Sequence, residues 1–179
     1  MLKEINSNNF CNLYSQHIVN DFSDDQRPPY DIIKKNIETG YSEGFIYVLD
    51  NKEMAYAINT ISDNKVVISV FAVFNSFRNS GIGTSFLVEL LDYYSDKKII
   101  IVEVDKPEQA KTTEEKVVCE KRISFYERAG FIIHKDIEYS IFGIDFYLMT
   151  YSKDKLEKKD VIESMKAVYK QTLNNIIIK

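Results

Sequence analysis

Apolar residues along the chain follow two rhythms, and the two separate strands from helices. Alternating or continuous apolar runs predict strands over residues 2–5, 45–49, 54–61, 66–74, 99–104, 131–135, 138–142 and 145–151. The turn residues Asp50, Asn51 and Lys52 join two of these into a hairpin, and Gly143 marks a turn or bulge between the last two. Helical spacing predicts a helix over residues 8–22, with Phe10, Leu13, Tyr14, His17 and Ile18 on one stripe. The segment 23–29 breaks it, because Pro28 and Pro29 disfavour helix before them and donate no hydrogen bond. A second helix follows to residue 39 and is capped by Gly40. Residues 81–94 form a third, with Ile82, Phe86, Leu87, Leu90, Leu91 and Tyr94 as its apolar stripe. Helices over 114–129, ended by Gly130, and 160–173, with Val161, Met165, Val168 and Tyr169 on one side, complete the pattern. The apolar tail 176–178 is expected to dock on the domain or on a second subunit.

Composition narrows the function classes. A chain of 20.9 kDa with 45% apolar residues can bury one real core. The net charge of −4 and pI near 5.3 argue against a nucleic-acid partner and suit a cationic one. No apolar run approaches the roughly 18 residues of a membrane span and no leader pattern opens the chain, so a cytoplasmic protein without a membrane partner is expected. Cys11 and Cys119 lie far apart and only two histidines are present, so no metal site is expected. Beyond Ser152 the composition turns to Lys, Glu and Asp, which divides a main domain, 1–152, from a helical extension, 153–179.

The stretch 73–84 carries the chemistry. A strand runs into Arg78-Asn79-Ser80-Gly81-Ile82-Gly83-Thr84, and a helix follows at once. Glycines let backbone amides approach an anion, the helix start aims unpaired amides at the same place, and Arg78 adds a fixed positive charge. A phosphate or pyrophosphate ligand is the expectation. The Walker spacing is absent, and the dinucleotide fingerprint fails because Phe86 stands where its third glycine would be.

The remaining pattern, Arg-x-x-Gly-x-Gly, resembles the acyl-CoA pyrophosphate loop of the GNAT N-acetyltransferases. The later segment 122–131 resembles that family's helix ending in Phe-Tyr-x-x-x-Gly-Phe, here Phe125-Tyr126 through Gly130-Phe131. Residues 99–104 resemble its fifth strand, and the likeness covers about residues 43 to 150. The resemblance implies an α/β (α+β) GNAT-like fold: a mixed, mostly antiparallel sheet flanked by helices, with splayed strands around an acyl-CoA site. It implies acetyl-CoA as co-substrate and a primary amine of a small molecule, peptide or protein as acceptor.

On this resemblance the pyrophosphate is assigned to Arg78, Asn79, Ser80, Gly81, Ile82, Gly83 and Thr84, and the pantetheine arm to backbone groups around Phe71 and Val73. Tyr126 falls on the position of the tyrosine that protonates the departing thiolate, and Ser124 near a cofactor-contact position. The strand before the loop carries no glutamate, so Glu103 is the candidate base, weighed against a salt bridge to Arg122. His17 is weighed as a base against a structural role beside Asp21, and the acidic segment 21–30 as an acceptor loop against a solvated one. Tyr56, Tyr139 and Tyr147 would line an acceptor cleft or fill the core. One other reading stays open, a non-catalytic acyl-CoA-binding module, whereas a nucleotide-binding α/β protein loses because neither the Walker nor the dinucleotide spacing is met. A homodimer through the amphipathic C-terminal helix is an assembly to test.

Overall fold

The structure, a computed structural model, describes residues 1–22, 27, 29–170 and 176–178. Most of the expected break over 23–29 and the end of the last helix, 171–173, lie outside the described residues. The chain divides into two compact units, Met1–Ile61 with Ser69–Tyr93, and Ser62–Ile68 with Tyr94–Lys179.

The first unit holds β1 (Leu2–Ile5), α1 (Ser7–Leu13), a π-helical turn (Tyr14–Ile18), α2 (Val19–Asp21) and α3 (Tyr30–Glu38). It continues with β2 (Ser42–Leu49), nearly all of β3 (Lys52–Ser62), residues 69–73 of β4 (Lys65–Val73), and α4 (Ile82–Tyr93). Asn6 caps α1, its side-chain oxygen accepting from the amides of Asn8 and Asn9 at 3.0 Å. The predicted helix over 8–22 is therefore present but widened by one π-helical turn. Its stripe residues Phe10, Leu13 and Ile18 pack against Ile58, Val70 and Ala72. In the same unit, Phe86 of α4 stacks on Tyr47 and Phe71, with ring centroids 5.2 and 5.0 Å apart.

The second unit begins with residues 65–68 of β4, which pair in parallel with β5 (Ile99–Asp105) from Lys65↔Ile99 to Ile68↔Val102. On its other side β5 pairs from Ile100 to Asp105 with β7 (Ile144–Tyr151), which pairs with β6 (Ile132–Ile141), which pairs with β8 (Ile176–Ile178), all antiparallel. The strand order is thus β1-β2-β3-β4-β5-β7-β6-β8. The unit also holds α5 (Thr113–Arg128) and α6 (Lys158–Tyr169).

Two expectations change here. The strands expected over 131–135 and 138–142 are one strand, because a register shift between His134 and Tyr139 absorbs the consecutive polar residues Lys135 and Asp136. The apolar tail becomes β8 on the edge of β6, which decides its docking within this unit. Val161, Met165 and Val168 of α6 are buried in the same core as Ile99, Ile101 and Leu148.

Candidate active site

The end of β4 and the loop after it are shaped by two left-handed residues. Asn79 has φ +62° and Gly81 φ +85°, and α4 starts at Ile82. A β-carbon at Gly81 would meet nothing within 4 Å, so conformation rather than space requires glycine there. Asn79, Ser80, Gly81 and Thr84 are exposed, Gly83 is half-buried, and Ile82 turns into the core. The Ser80 hydroxyl donates to the Phe77 carbonyl and ties the turn to the short 3₁₀ segment before it. The first-turn amides of a helix have no acceptor within the helix, so this loop presents donors to solvent in a form that suits an anion.

Arg78 does not point freely from that loop. Its Nε donates to the Val73 carbonyl at 3.0 Å, and Nη2 donates to Asp21 Oδ1, also at 3.0 Å. The other Asp21 oxygen accepts the Tyr56 hydroxyl at 2.8 Å. Burial, and then that bond to the carboxylate, push the Tyr56 phenol well above its ordinary value, while the Arg78 charge pulls the other way. His17 stacks on Phe74 with centroids 4.1 Å apart. The pairing of Asp21 with Arg78, 57 residues on, has no periodicity that the sequence could reveal.

In the second unit, Tyr126 lies on α5 and is 6% exposed. Burial pushes its phenol up to about 12, opposed by the Arg122 charge. Its ring meets Phe125 and Phe131 edge-on, and its carbonyl accepts from the amides of Ala129 and Phe131 where the helix ends. Gly130, at φ +92°, makes that ending possible. Ser124 is half-buried on the same helix.

Glu103 is the first β5 residue past the ladder with β4. It does not pair with Arg122, which instead bonds Asp105 at the end of the strand. Its carboxylate accepts the Tyr139 hydroxyl on one oxygen and the Tyr169 hydroxyl on the other, the latter at 3.1 Å. Burial pushes the Glu103 carboxyl up from its ordinary range, and the two hydroxyl donors restrain the rise. Tyr169 comes from α6 and was not singled out by the motif reading, because a tyrosine on an apolar helical stripe reads simply as core. The third tyrosine weighed from sequence, Tyr147, donates to Glu108, with Lys106 lying 5.2 Å from its ring centroid. Each of the three thus serves a carboxylate.

Among the described residues no group of His, Cys, Asp and Glu could hold a metal ion, and no helix is long and apolar enough to cross a membrane.

No family model and no curated protein sequence matches the chain. Solved structures do. A protein from Bacteroides thetaiotaomicron assigned to the GNAT family of acetyltransferases aligns over 96% of this chain and 98% of its own, at 20% identity and a TM-score of 0.77. The ribosomal-protein-S18-alanine N-acetyltransferase of Escherichia coli aligns over 88% and 96%, at 16% identity and a TM-score of 0.62. An acetyltransferase of Bacillus subtilis, solved in complex with CoA, aligns over 85% and 96%, at 15% identity and a TM-score of 0.58.

Proposed function

We propose that this chain, which has the fold of the GNAT acetyltransferases, moves an acetyl group from acetyl-CoA directly to a primary amine of a small molecule, peptide or protein within a ternary complex. The observation that carries the reading is the left-handed turn at Asn79 and Gly81, set between β4 and the start of α4. It presents exposed backbone donors beside Arg78, as a pyrophosphate requires. The acceptance of CoA by a protein of the same fold, the Bacillus subtilis acetyltransferase, supports the choice of ligand.

In this reading residues 78–84 hold the pyrophosphate, the backbone around Phe71 and Val73 holds the pantetheine arm, and Ser124 contacts the cofactor. Glu103 takes the proton of the acceptor ammonium, directly or through water. The freed nitrogen lone pair attacks the thioester carbonyl carbon, the C–N bond forms, the nitrogen gives its second proton to solvent, and collapse of the tetrahedral oxyanion breaks the C–S bond. Tyr126 faces the developing thiolate. Burial makes this phenol, pushed up to about 12, a poorer acid than an ordinary tyrosine. Tyr126 therefore acts as a hydrogen-bond donor to the leaving sulfur, and solvent protonates the thiolate afterwards. A raised carboxyl pKa at Glu103 favours its role as base. Its saturation by two tyrosine hydroxyls is the observation that favours the second reading, a non-catalytic acyl-CoA-binding module.

Calorimetric titration of acetyl-CoA and CoA tests the cofactor seat. Gly81→Glu should abolish binding, because the φ of +85° strains any side chain and the new carboxylate repels phosphate. Binding that persists in this variant removes the loop assignment. Tyr126→Phe should lower turnover of an acetylated amine about 10- to 100-fold, the worth of a hydrogen bond to a charged atom, with CoA affinity kept. Unchanged turnover would leave Tyr126 without a catalytic role, and no turnover of any amine by a wild type that binds acetyl-CoA would favour the binding module.

A further inference from the structure

We propose that Arg78 is a removable plug, and that Asp21 beneath it is the seat for a second ammonium group of the acceptor, distinct from the one that reacts. The inference rests on the acyl-CoA reading and deepens it by naming a residue that binds the acceptor's non-reacting cation. Arg78 closes two groups at once. Its Nε occupies the Val73 carbonyl, a backbone acceptor at the very end of β4 where the pantetheine arm is assigned. Its Nη2 occupies Asp21 Oδ1. Bound cofactor offers this guanidinium two phosphates, which match its planar fork better than one carboxylate oxygen does. The pantetheine amides at the same time compete for the Val73 carbonyl.

Departure of Arg78 exposes an imbalance. The Asp21 side chain is only 9% exposed, against 49% for Arg78, so solvent cannot replace the lost cation fully. The Tyr56 hydroxyl remains on Oδ2 but brings no charge. A buried carboxylate stripped of its counter-ion is strongly unfavourable and recruits another cation. The groups around it favour an alkyl ammonium: the stacked rings of His17 and Phe74, with Tyr56 tilted against Phe74 at 5.7 Å, supply apolar and π surface for the carbon next to the charge. Cofactor thus opens the acceptor seat, and the guanidinium is its occupant until then.

The test begins with calorimetric titration of CoA into the wild type, Asp21→Asn, Arg78→Ala and the double variant. Asparagine keeps an acceptor oxygen for Tyr56 while releasing Arg78. Asp21→Asn should bind CoA about two- to fivefold more tightly, the worth of a partly exposed ion pair. Arg78→Ala should bind less tightly, and the double variant should match Arg78→Ala. CoA binding with no gain in Asp21→Asn overturns the inference alone, whereas no CoA binding by the wild type removes the acyl-CoA reading and this inference with it.

A measurement on the unmodified protein guards against a variant that folds poorly. The NMR signal of the Arg78 Nε–H should shift on saturation with CoA as its bond to Val73 breaks, and an unmoved signal overturns the plug. For the seat, n-butylamine is the probe. It should perturb the side-chain signals of Tyr56 and His17 in CoA-saturated wild type, but not in cofactor-free protein or in CoA-saturated Asp21→Asn. Perturbation in either of the other two samples equal to that in CoA-saturated wild type, or none in the first, overturns the assignment.

Discussion

Two tyrosine–carboxylate networks, one in each unit, solve the same problem with different partners. In the first, Asp21 accepts one hydroxyl, from Tyr56, and one guanidinium, from Arg78. In the second, Glu103 accepts two hydroxyls, from Tyr139 and Tyr169, with no cation on either oxygen among the described residues. Both place a carboxylate where water is scarce. The cation in the first network lowers the cost of ionising the tyrosine beside it, as the opposing effect of Arg78 on Tyr56 illustrates. The second network has only neutral donors, and the Glu103 carboxyl is pushed up. A network balanced by a movable surface arginine can be opened by a ligand. The other is held by hydroxyls from β6 and α6, one on each carboxylate oxygen.

The sharpest way to break the comparison is Glu103→Ala, which leaves the hydroxyls of Tyr139 and Tyr169, 2% and 3% exposed, without their acceptor. It should cost about 2–3 kcal/mol in urea denaturation. Tyr139→Phe should cost about 1–2 kcal/mol, because Glu103 then keeps a single neutral donor, while Tyr56→Phe should cost about 1 kcal/mol or less, because Arg78 still balances Asp21. Equal costs for the two phenylalanine variants would mean that the cation makes no difference to stability.

The smallest effect is the pH dependence of Glu103→Gln. A carboxyl raised in the folded state penalises folding once it ionises. The penalty is absent below the ordinary glutamate value of 4.5, where both states are protonated, and grows as pH rises through the raised native value. Unfolding midpoints across pH should therefore show Glu103→Gln gaining on the wild type from about pH 4.5 upward. A constant difference would show that the hydroxyls offset burial completely.

Much of the candidate site was legible because its cause is local. Gly81 and Gly130 each sit where the backbone turns left-handed between strand and helix or after a helix end, and such turns are written in adjacent residues. The apolar stripe of α4, with Ile82, Phe86, Leu87 and Leu90, follows from a 3.6-residue period and is buried as read. The ion pair weighed between Glu103 and Arg122 was misplaced by two residues. Charge alone could not separate Glu103 from Asp105, and strand alternation sends them to positions with different partners. The merging of two expected strands into β6 was hidden for a related reason, since a bulge breaks the alternation by which strands are recognised.

By itself, then, the sequence determined most of the elements, the glycine turn before α4 and the order of motifs from which the GNAT fold was expected, all consequences of residue spacing along a few turns or strands. The tertiary structure decided which side chains meet: Asp21 with Arg78 across 57 positions and Glu103 with Tyr169 across 66. Periodicity reports which face of an element is apolar, but a partner for a buried charge is chosen by where distant segments come together, and by the cost of leaving that charge unpaired.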